Sequence, residues 1–163
     1  MIPKTNPMRH LDKLGIPYEV HTYPADSGMT GTDIASLLGE DPPRVFKTLV
    51  TIAKSKKHYV FVIPVEMELE LKKAAASVGE KSVEMLPSKE LLGLTGYVHG
   101  GCSPLCMKRE MVTVIDSTIK DGERFYVSAG KVGCQLELSS KDFLSAGDFI
   151  TADITRPRAV ERD

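Results

Sequence analysis

The stretch VFKTLVTIA (residues 45–53) is followed, after KSKK (54–57), by HYVFVIPV (58–65). Both apolar runs have the β-branched and aromatic content that is typical of strands. The four polar residues between them have the length and composition of a solvated hairpin turn. The sequence therefore predicts a β-hairpin whose lysine-rich turn faces solvent.

Shorter segments on either side of this hairpin predict a mixture of strands and helices. Many short strands with scattered helices, without regular strand–helix alternation, favour an α+β fold over a doubly wound parallel sheet. Further strands are predicted near 16–23, 83–85, 97–98, 111–115, 124–128, 135–138 and 149–154. Helices are predicted near 6–14, 32–38, 66–78 and 88–92, and from Ser140 onward.

Length and composition indicate one globular domain. The chain has 163 residues, of which 42% are hydrophobic and 26% charged, far from the composition of a disordered chain. We predict a single domain over 1–163, with a frayed tail over 155–163. The formal net charge of −1 argues against holding nucleic acid by bulk electrostatics, because such domains are usually strongly basic.

Targeting signals and cysteine usage indicate the compartment. The first seven residues lack the apolar core of a secretory signal, and no apolar run approaches the roughly 20 residues that cross a bilayer. The three cysteines, Cys102, Cys106 and Cys134, form an odd set without a disulfide framework. We therefore predict a cytoplasmic protein with reduced thiols and no membrane partner.

The segment YVHGGCSP (97–104) contains two adjacent glycines, Gly100 and Gly101, between a strand-like run and Ser-Pro. Glycine adopts backbone conformations that other residues resist, so backbone N–H groups at such a turn can stay open to a ligand. Amides of this kind stabilise negative charge on a carbonyl oxygen during acyl transfer. An ordinary tight turn would show the same two glycines.

A single cation, Lys47, interrupts the apolar run that begins the hairpin. Lysine is seldom fully buried without a partner. From the pattern alone, Lys47 either extends its ammonium to solvent along an edge strand or lies in a pocket where its charge is used. These two alternatives stay open on composition and spacing.

Taken in chain order, five segments resemble the YbaK/EbsC family of free-standing aminoacyl-tRNA deacylases, over a span from about Pro7 to about Ile154. They are HTY (21–23), VFKTL (45–49), the Gly-Gly segment, YVSAGKVG (126–133) and QLEL (135–138). The resemblance implies a single mixed, barrel-like sheet with helices packed outside. It also implies an enzyme that removes a mischarged amino acid from tRNA without a cofactor or metal.

The resemblance further implies a catalytic set of Lys47, Gly100 and Gly101. A compact ammonium suits binding of ribose or phosphate oxygens, or stabilisation of developing negative charge. We expect no general base at Gln135, where relatives carry a carboxylate. Substrate-binding roles are implied for Tyr23, Phe46, Ser103, Ser128, Gly130 and Gln135.

Lysine and arginine side chains around the predicted site could bind RNA phosphates. Most clusters of charged residues are simply solvated surface. The pair Lys108 and Arg109 follows the Gly-Gly turn, and Lys131 lies in the segment that resembles the family's second active-site loop. We predict these three cations as RNA contacts. Because the chain is nearly neutral, recruitment by prolyl-tRNA synthetase would supply the remaining affinity.

The substrate that the resemblance implies is cysteine on tRNA(Pro). The cysteinyl thiol would attack its own carbonyl and leave as a cyclic thioester, so no protein nucleophile is needed. Departures from the family pattern, such as Ala129 and Val132, leave alanine on tRNA(Pro) as an alternative substrate. A non-catalytic module that binds tRNA ends or a synthetase is the alternative of a different class; a DNA partner is not expected.

A metal or thiol site is the competing chemistry, because His99, Cys102 and Cys106 are close in sequence. Structural zinc normally takes four ligands, and the sequence has no second Cys-x-x-Cys pair. Cys102 activated by His99 would be a nucleophile of a familiar kind. We predict neither, since reduced, partly buried cysteines account for the same pattern. The fourth zinc ligand would have to come from Cys134, His58, His21 or His10.

Overall fold

A computed structural model of the chain describes residues 3–24, 44–119 and 123–158. The strands are β1 (Glu19–Thr22), β2 (Phe46–Ala53), β3 (His58–Pro64), β4 (Met67–Leu69), β5 (Val83–Met85), β6 (Val112–Asp116), β7 (Arg124–Ser128), β8 (Cys134–Ser139), β9 (Phe149–Ala152) and β10 (Thr155–Pro157). The helices of the described residues are α1 (Asn6–Leu14), α2 (Leu71–Ser77), α3 (Ser88–Thr95) and α4 (Ser140–Leu144).

The first helix begins and ends where the sequence predicts. The Thr5 side chain accepts a hydrogen bond from the Met8 N–H at the amino end of α1, and Gly15 ends the helix with φ of 72°. A residue with a side chain resists that left-handed conformation, whereas glycine adopts it freely. Met8 and Leu11 are buried, so one face of α1 packs on the core.

The predicted hairpin is confirmed and forms the centre of a five-stranded mixed sheet with the order β5-β2-β3-β6-β9. Strands β2 and β3 are antiparallel, with Phe46 opposite Pro64 and Ile52 opposite His58. Strands β3, β6 and β9 run parallel to one another. The residues of the turn, 54–57, are exposed as expected.

A second sheet has the order β1-β8-β7, with every pair antiparallel. It joins the five-stranded sheet through a parallel bridge between Val45 and Tyr126. Strands β4 and β10 form a separate antiparallel pair. The fold is therefore a mixed α+β domain, as predicted, but its described strands form three sheets and not the expected barrel-like one, and no closed barrel is found among them.

Side chains on the two sides of β2 pack into two different hydrophobic clusters. Phe46 and Val50 pack in one cluster with residues of β7 and β8, such as Phe125 and Leu136. Leu49 packs in the other cluster, which lies beneath α2. Since side chains alternate along a strand, Lys47 lies on the face opposite Phe46.

Near the carboxyl end, residues 155–157 form strand β10, so this first part of the frayed tail predicted for 155–163 is ordered. Thr155 pairs with Leu69 in β4 and is buried. The buried Asp116 carboxylate accepts hydrogen bonds from the Ile154 N–H and the Thr155 hydroxyl, both at 3.1 Å. These contacts between distant segments fix the residues up to 158; residues 159–163 lie outside the described part of the chain.

The same pairing corrects the helix predicted over 66–78. Residues 67–69 form β4 because β10 pairs with them, and the helix begins only at Leu71. The strand predicted at 97–98 is also wrong, since that segment is a loop after Gly96 ends α3. The helix predicted near 32–38 lies outside the described residues. No helix in the described ranges is long and apolar enough to cross a membrane.

Candidate active site

The end of the β7–β8 hairpin brings together side chains from three strands. Ser128 lies opposite Gln135, and Gln135 lies opposite His21 on β1. The Tyr23 N–H donates to the Gly133 carbonyl at 3.0 Å, which continues the same alignment. Because facing residues of paired strands share one face, these four side chains lie on the same side of the sheet.

Lys47 reaches this face through the bridge between the two sheets. Val45 and Tyr126 form a parallel bridge. Lys47 and Ser128 each lie two residues further along their strands, so their side chains are on the same side as those of the bridged pair. The sequence left open whether Lys47 extends to solvent or enters a pocket. In the structure Lys47 is half-buried on the face that carries Ser128 and Gln135.

The surroundings of Lys47 disfavour its charge. Burial lowers the pKa of its ammonium, the nearby Arg158 charge lowers it further, and Glu68 opposes both. Lys47 makes no hydrogen bond and no ion pair with the other described residues. An ammonium that is partly removed from water interacts more strongly with an oxyanion than a solvated one.

The Gly-Gly turn packs against the loop that joins β7 to β8. A Cβ atom on Gly101 would lie 2.8 Å from the Val132 backbone nitrogen, and one on Gly130 would lie 3.1 Å from the Tyr97 ring. At Gly101 only a residue without a side chain permits this approach of two backbones. The turn therefore lies at the same end of the hairpin as Ser128.

The two glycines differ in what their amides can do. Gly101 is buried, and its N–H donates to the Val98 carbonyl at 3.0 Å. The sequence predicts that this amide is open to a ligand, but in the structure it is already hydrogen-bonded. Gly100 is exposed with φ of 85°, and its N–H has no partner within the described residues. The role of amide donor therefore fits Gly100, while Gly101 holds the turn against its neighbour.

Buried polar atoms without partners mark the floor of this face. The Tyr23 hydroxyl and the Gln135 Oε1 are both buried and have no hydrogen-bond partner in the described structure; Thr48 Oγ1, on the opposite face of β2, is a third such atom. Unsatisfied buried groups are rare because each costs about 1–3 kcal/mol. A hydroxyl and an amide carbonyl oxygen left unpaired on one face are suited to a polar ligand.

Two of the predicted substrate-binding residues lie elsewhere. Phe46 is buried in the core, where its ring meets Phe125 edge-on at 5.4 Å. Ser103 is fully buried, and its hydroxyl accepts a hydrogen bond from the Leu105 N–H at 3.1 Å. Both side chains support the shape of the site without facing it.

The predicted RNA contacts separate into two groups. Lys131 is exposed in the loop against which Gly101 packs. Lys108 and Arg109 are exposed after α3 and line a separate depression of about 330 Å³. Arg109 also lines an open groove of about 1010 Å³ between residues 104–113 and 144–151, which contains none of the predicted catalytic or substrate-binding residues.

The competing thiol chemistry finds no support. Burial raises the pKa of the Cys102 thiol to about 12, and a hydrogen bond with Thr95 only partly opposes this shift. A thiol of that kind stays protonated and is a poor nucleophile. Among the described residues, His99, Cys102 and Cys106 do not come close enough to share a metal ion.

An ion-pair network that the sequence analysis missed borders the site. Glu137 Oε1 lies 2.8 Å from His21 Nε2, and its Oε2 accepts from Arg124 Nε at 2.9 Å. Burial raises the pKa of Glu137, but the hydrogen bonds from Arg124 and His21 outweigh it and lower the pKa to about 2. The alternation of Gln135 and Glu137 along β8 was the available signal, because it puts both on one face.

Comparison with known proteins defines the class. The profile of the aminoacyl-tRNA editing domain matches residues 26–146, and the chain belongs to this family. It is 39% identical over 153 residues, 93% of each chain, to EbsC of Enterococcus faecalis, named as a candidate Cys-tRNA(Pro)/Cys-tRNA(Cys) deacylase.

Solved structures show the same fold. A crystal structure of a hypothetical protein superposes with a TM-score of 0.82 at 24% identity, over 91% of this chain and 97% of that one. The structure of a candidate trans-editing enzyme for prolyl-tRNA synthetase gives a TM-score of 0.79 at 21% identity, over 94% and 99%. At these identities the likeness is one of fold.

Proposed function

We propose that this protein is a free-standing editing deacylase that removes cysteine from mischarged tRNA(Pro). The observation that supports it most is the shared face of Lys47, Ser128, Gln135 and Tyr23, at the end of the hairpin where the Gly-Gly turn packs. The name of the E. faecalis relative supports the same substrate. Charged tRNA is a cytoplasmic substrate, so the cytoplasm is the proposed location.

In this proposal the pocket supplies charge and shape. The Lys47 ammonium and the Gly100 N–H stabilise the oxyanion that forms at the ester carbonyl. The Tyr23 hydroxyl and Gln135 Oε1, which lack partners in the described structure, bind the polar groups of the terminal aminoacyl-adenosine. Ser128 lies between Lys47 and Gln135 and orients the acyl group.

The proposed chemical step uses the thiol of the substrate. The cysteinyl sulfur loses its proton and attacks its own carbonyl carbon, a C–S bond forms, and the ester C–O bond breaks. The ribose oxygen takes up a proton, and the amino acid leaves as a cyclic thioester. Intramolecular attack has a large effective molarity when a pocket fixes the reactive conformer, so the site needs no protein nucleophile.

The test compares tRNA(Pro) carrying cysteine, serine, alanine or proline. We expect rapid loss of the cysteinyl ester, slow loss of the seryl ester because its hydroxyl is a far weaker nucleophile, and no loss of the prolyl ester. Loss of the alanyl ester at the cysteinyl rate would favour the alternative substrate and exclude the thiol step. No loss of any ester, with prolyl-tRNA synthetase present, would favour a binding module instead.

The proposed partner is prolyl-tRNA synthetase, which the near-neutral net charge supports. With a formal charge of −1, the chain lacks the strong positive charge that binds tRNA alone. Lys131 beside the Gly-Gly turn is the proposed local contact to the tRNA end, and Lys108 with Arg109 a second, more distant one. Adding the synthetase should lower the KM for charged tRNA while leaving kcat unchanged.

A further inference from the structure

The side chains of His21, Glu137 and Arg124 form a hydrogen-bonded chain along one edge of the candidate site. His21 Nε2 lies 2.8 Å from Glu137 Oε1, and Arg124 Nε lies 2.9 Å from Glu137 Oε2. Glu137 is mostly buried, whereas the His21 side chain is 32% exposed. The carboxylate is thus largely enclosed, and the imidazole is the more accessible of the two groups.

The protonation of this chain follows from its partners. With both oxygens accepting hydrogen bonds, Glu137 is a carboxylate, and Arg124 keeps it so. An ionised carboxylate only accepts hydrogen bonds, so the proton of the contact must be on His21 Nε2. In a neutral imidazole the other nitrogen, Nδ1, is then the acceptor. Nδ1 has no hydrogen-bond partner among the described residues.

The position of His21 connects it to the acyl site. It lies directly opposite Gln135, and an antiparallel pair separates facing Cα atoms by about 5 Å. Tyr23, two residues later, lies on the same face of the strand. The tilted Tyr126 ring, which reaches across β8 from β7, has its centroid 5.3 Å from the imidazole and packs beside it.

From these contacts we propose that His21 is the proton acceptor of the deacylation and that Glu137 positions it. This proposal rests on the proposed function. His21 Nδ1 takes the proton from the cysteinyl thiol, the resulting thiolate attacks the carbonyl carbon, and the C–O bond to the ribose breaks. The imidazolium, stabilised by Glu137, then returns the same proton to the ribose oxygen. Protons balance, and no other reactant is needed.

A metal ion is the other chemistry that these residues suggest. Glu19, His21 and Glu137 each direct a ligand atom toward a common region, with the atoms within 4.8 Å of one another. The fixed guanidinium of Arg124 on Glu137 opposes a divalent cation there. In the described structure, the groups next to the His21 imidazole are the Glu19 and Glu137 carboxylates and the Tyr126 ring. Arg124 binds the other oxygen of Glu137.

The kinetic test uses single-turnover deacylation of Cys-tRNA(Pro) across pH. We expect His21→Gln to lower the rate about 100-fold and to remove the acidic limb of the pH–rate profile. Added imidazole should restore part of the rate of His21→Ala. His10→Gln is the matched control, because His10 also has one ring nitrogen bonded, 2.8 Å from the Ala146 carbonyl, and lines the groove of about 1010 Å³ that contains none of the predicted catalytic residues. Thermal unfolding of each variant checks the fold.

A second measurement does not depend on activity. The ¹⁵N chemical shifts of His21 report which ring nitrogen carries the proton. We expect protonated Nε2 and bare Nδ1 at the pH of maximal rate, and a changed distribution in Glu137→Gln. A His21 that remains doubly protonated across the active pH range would overturn the proposal.

The outcomes separate this inference from the function on which it rests. Wild-type turnover together with a full-rate His21→Gln variant would overturn the role of His21 and leave the deacylase standing. Loss of activity with a chelator, restored by zinc or manganese, would assign the cluster to a metal and overturn the proton role. Absence of wild-type turnover on every charged tRNA would overturn both.

Discussion

Gly101 and Val132 bring two loops together with no room for a side chain between them. A Cβ on Gly101 would lie 2.8 Å from the Val132 nitrogen and 2.9 Å from the Lys131 carbonyl carbon. These are backbone atoms, which cannot move aside as the end of a flexible side chain can. The contact fixes the turn that carries Gly100 against the end of the β7–β8 hairpin.

Replacing Gly101 with alanine should therefore separate the two loops. We expect Gly101→Ala to destabilise the fold by about 1–3 kcal/mol and to reduce deacylation. Gly93→Ala is the matched control, because Gly93 lies within α3 with nothing near its missing Cβ. Alanine there should stabilise the protein by about 0.5–1 kcal/mol. Equal melting temperatures for the two variants would contradict the packing argument.

Lys47 should be needed for the rate and not for the fold. Removing the ammonium from the candidate oxyanion site should lower the single-turnover rate about 100-fold in Lys47→Ala. The melting temperature should stay the same or rise, since a partly buried charge is removed. Lys54→Ala, in the exposed hairpin turn, is the charge-matched control and should keep the full rate.

The pH dependence of the rate should show that the Lys47 ammonium loses its proton at a lower pH than an ordinary lysine does. Its pKa is lowered from 10.5, so the ammonium is lost as pH rises through a value below that of an ordinary lysine. Deacylation, corrected for spontaneous ester hydrolysis, should decline along this basic limb. Lys47→Arg keeps its charge at high pH, and its profile should lack the decline whatever its maximal rate. A flat wild-type profile up to pH 10.5 would count against the role.

Replacing tyrosine by phenylalanine should affect stability differently at Tyr23 and at Tyr97. The Tyr23 hydroxyl is buried without a partner, so Tyr23→Phe should not lower stability but should reduce affinity for the aminoacyl-tRNA. The Tyr97 hydroxyl donates to the Leu105 carbonyl at 2.5 Å, so Tyr97→Phe should cost about 1 kcal/mol. Chemical denaturation and a KM measurement on both variants decide the matter; a destabilised Tyr23→Phe would show that its hydroxyl is paired.

Glu137 should make part of the stability dependent on acid. Its pKa falls from 4.5 in the unfolded chain to about 2 in the folded one, so the carboxylate stabilises the fold above pH 4.5. That contribution is lost as pH decreases from 4.5 through about 2. Denaturation at a series of pH values should show the difference between wild type and Glu137→Gln shrinking over this window. A constant difference would mean that the carboxylate is not held by Arg124 and His21.

Local pattern was enough to predict most of the elements. The helix Asn6–Leu14 follows from its apolar spacing and its terminal glycine, and the strands β2 and β3 follow from β-branched runs around a lysine-rich turn. For the segment 66–78, local helix propensity predicts a single helix. Residues 67–69 of this segment form β4 because β10, nearly ninety residues away, pairs with them. The local sequence does not indicate that pairing.

For the site, local sequence pattern was enough to single out candidate residues: a cation inside an apolar strand, two adjacent glycines, and polar side chains alternating along short strands. It could not determine which of them meet. The folded structure shows that the Phe46 and Ser103 side chains are buried in the core and that the Gly101 N–H is already hydrogen-bonded. It also shows that His21 and Arg124 both bind the Glu137 carboxylate. The physical reason is that strand register and the bridge between sheets depend on contacts between distant segments, whereas side-chain alternation along each strand is local.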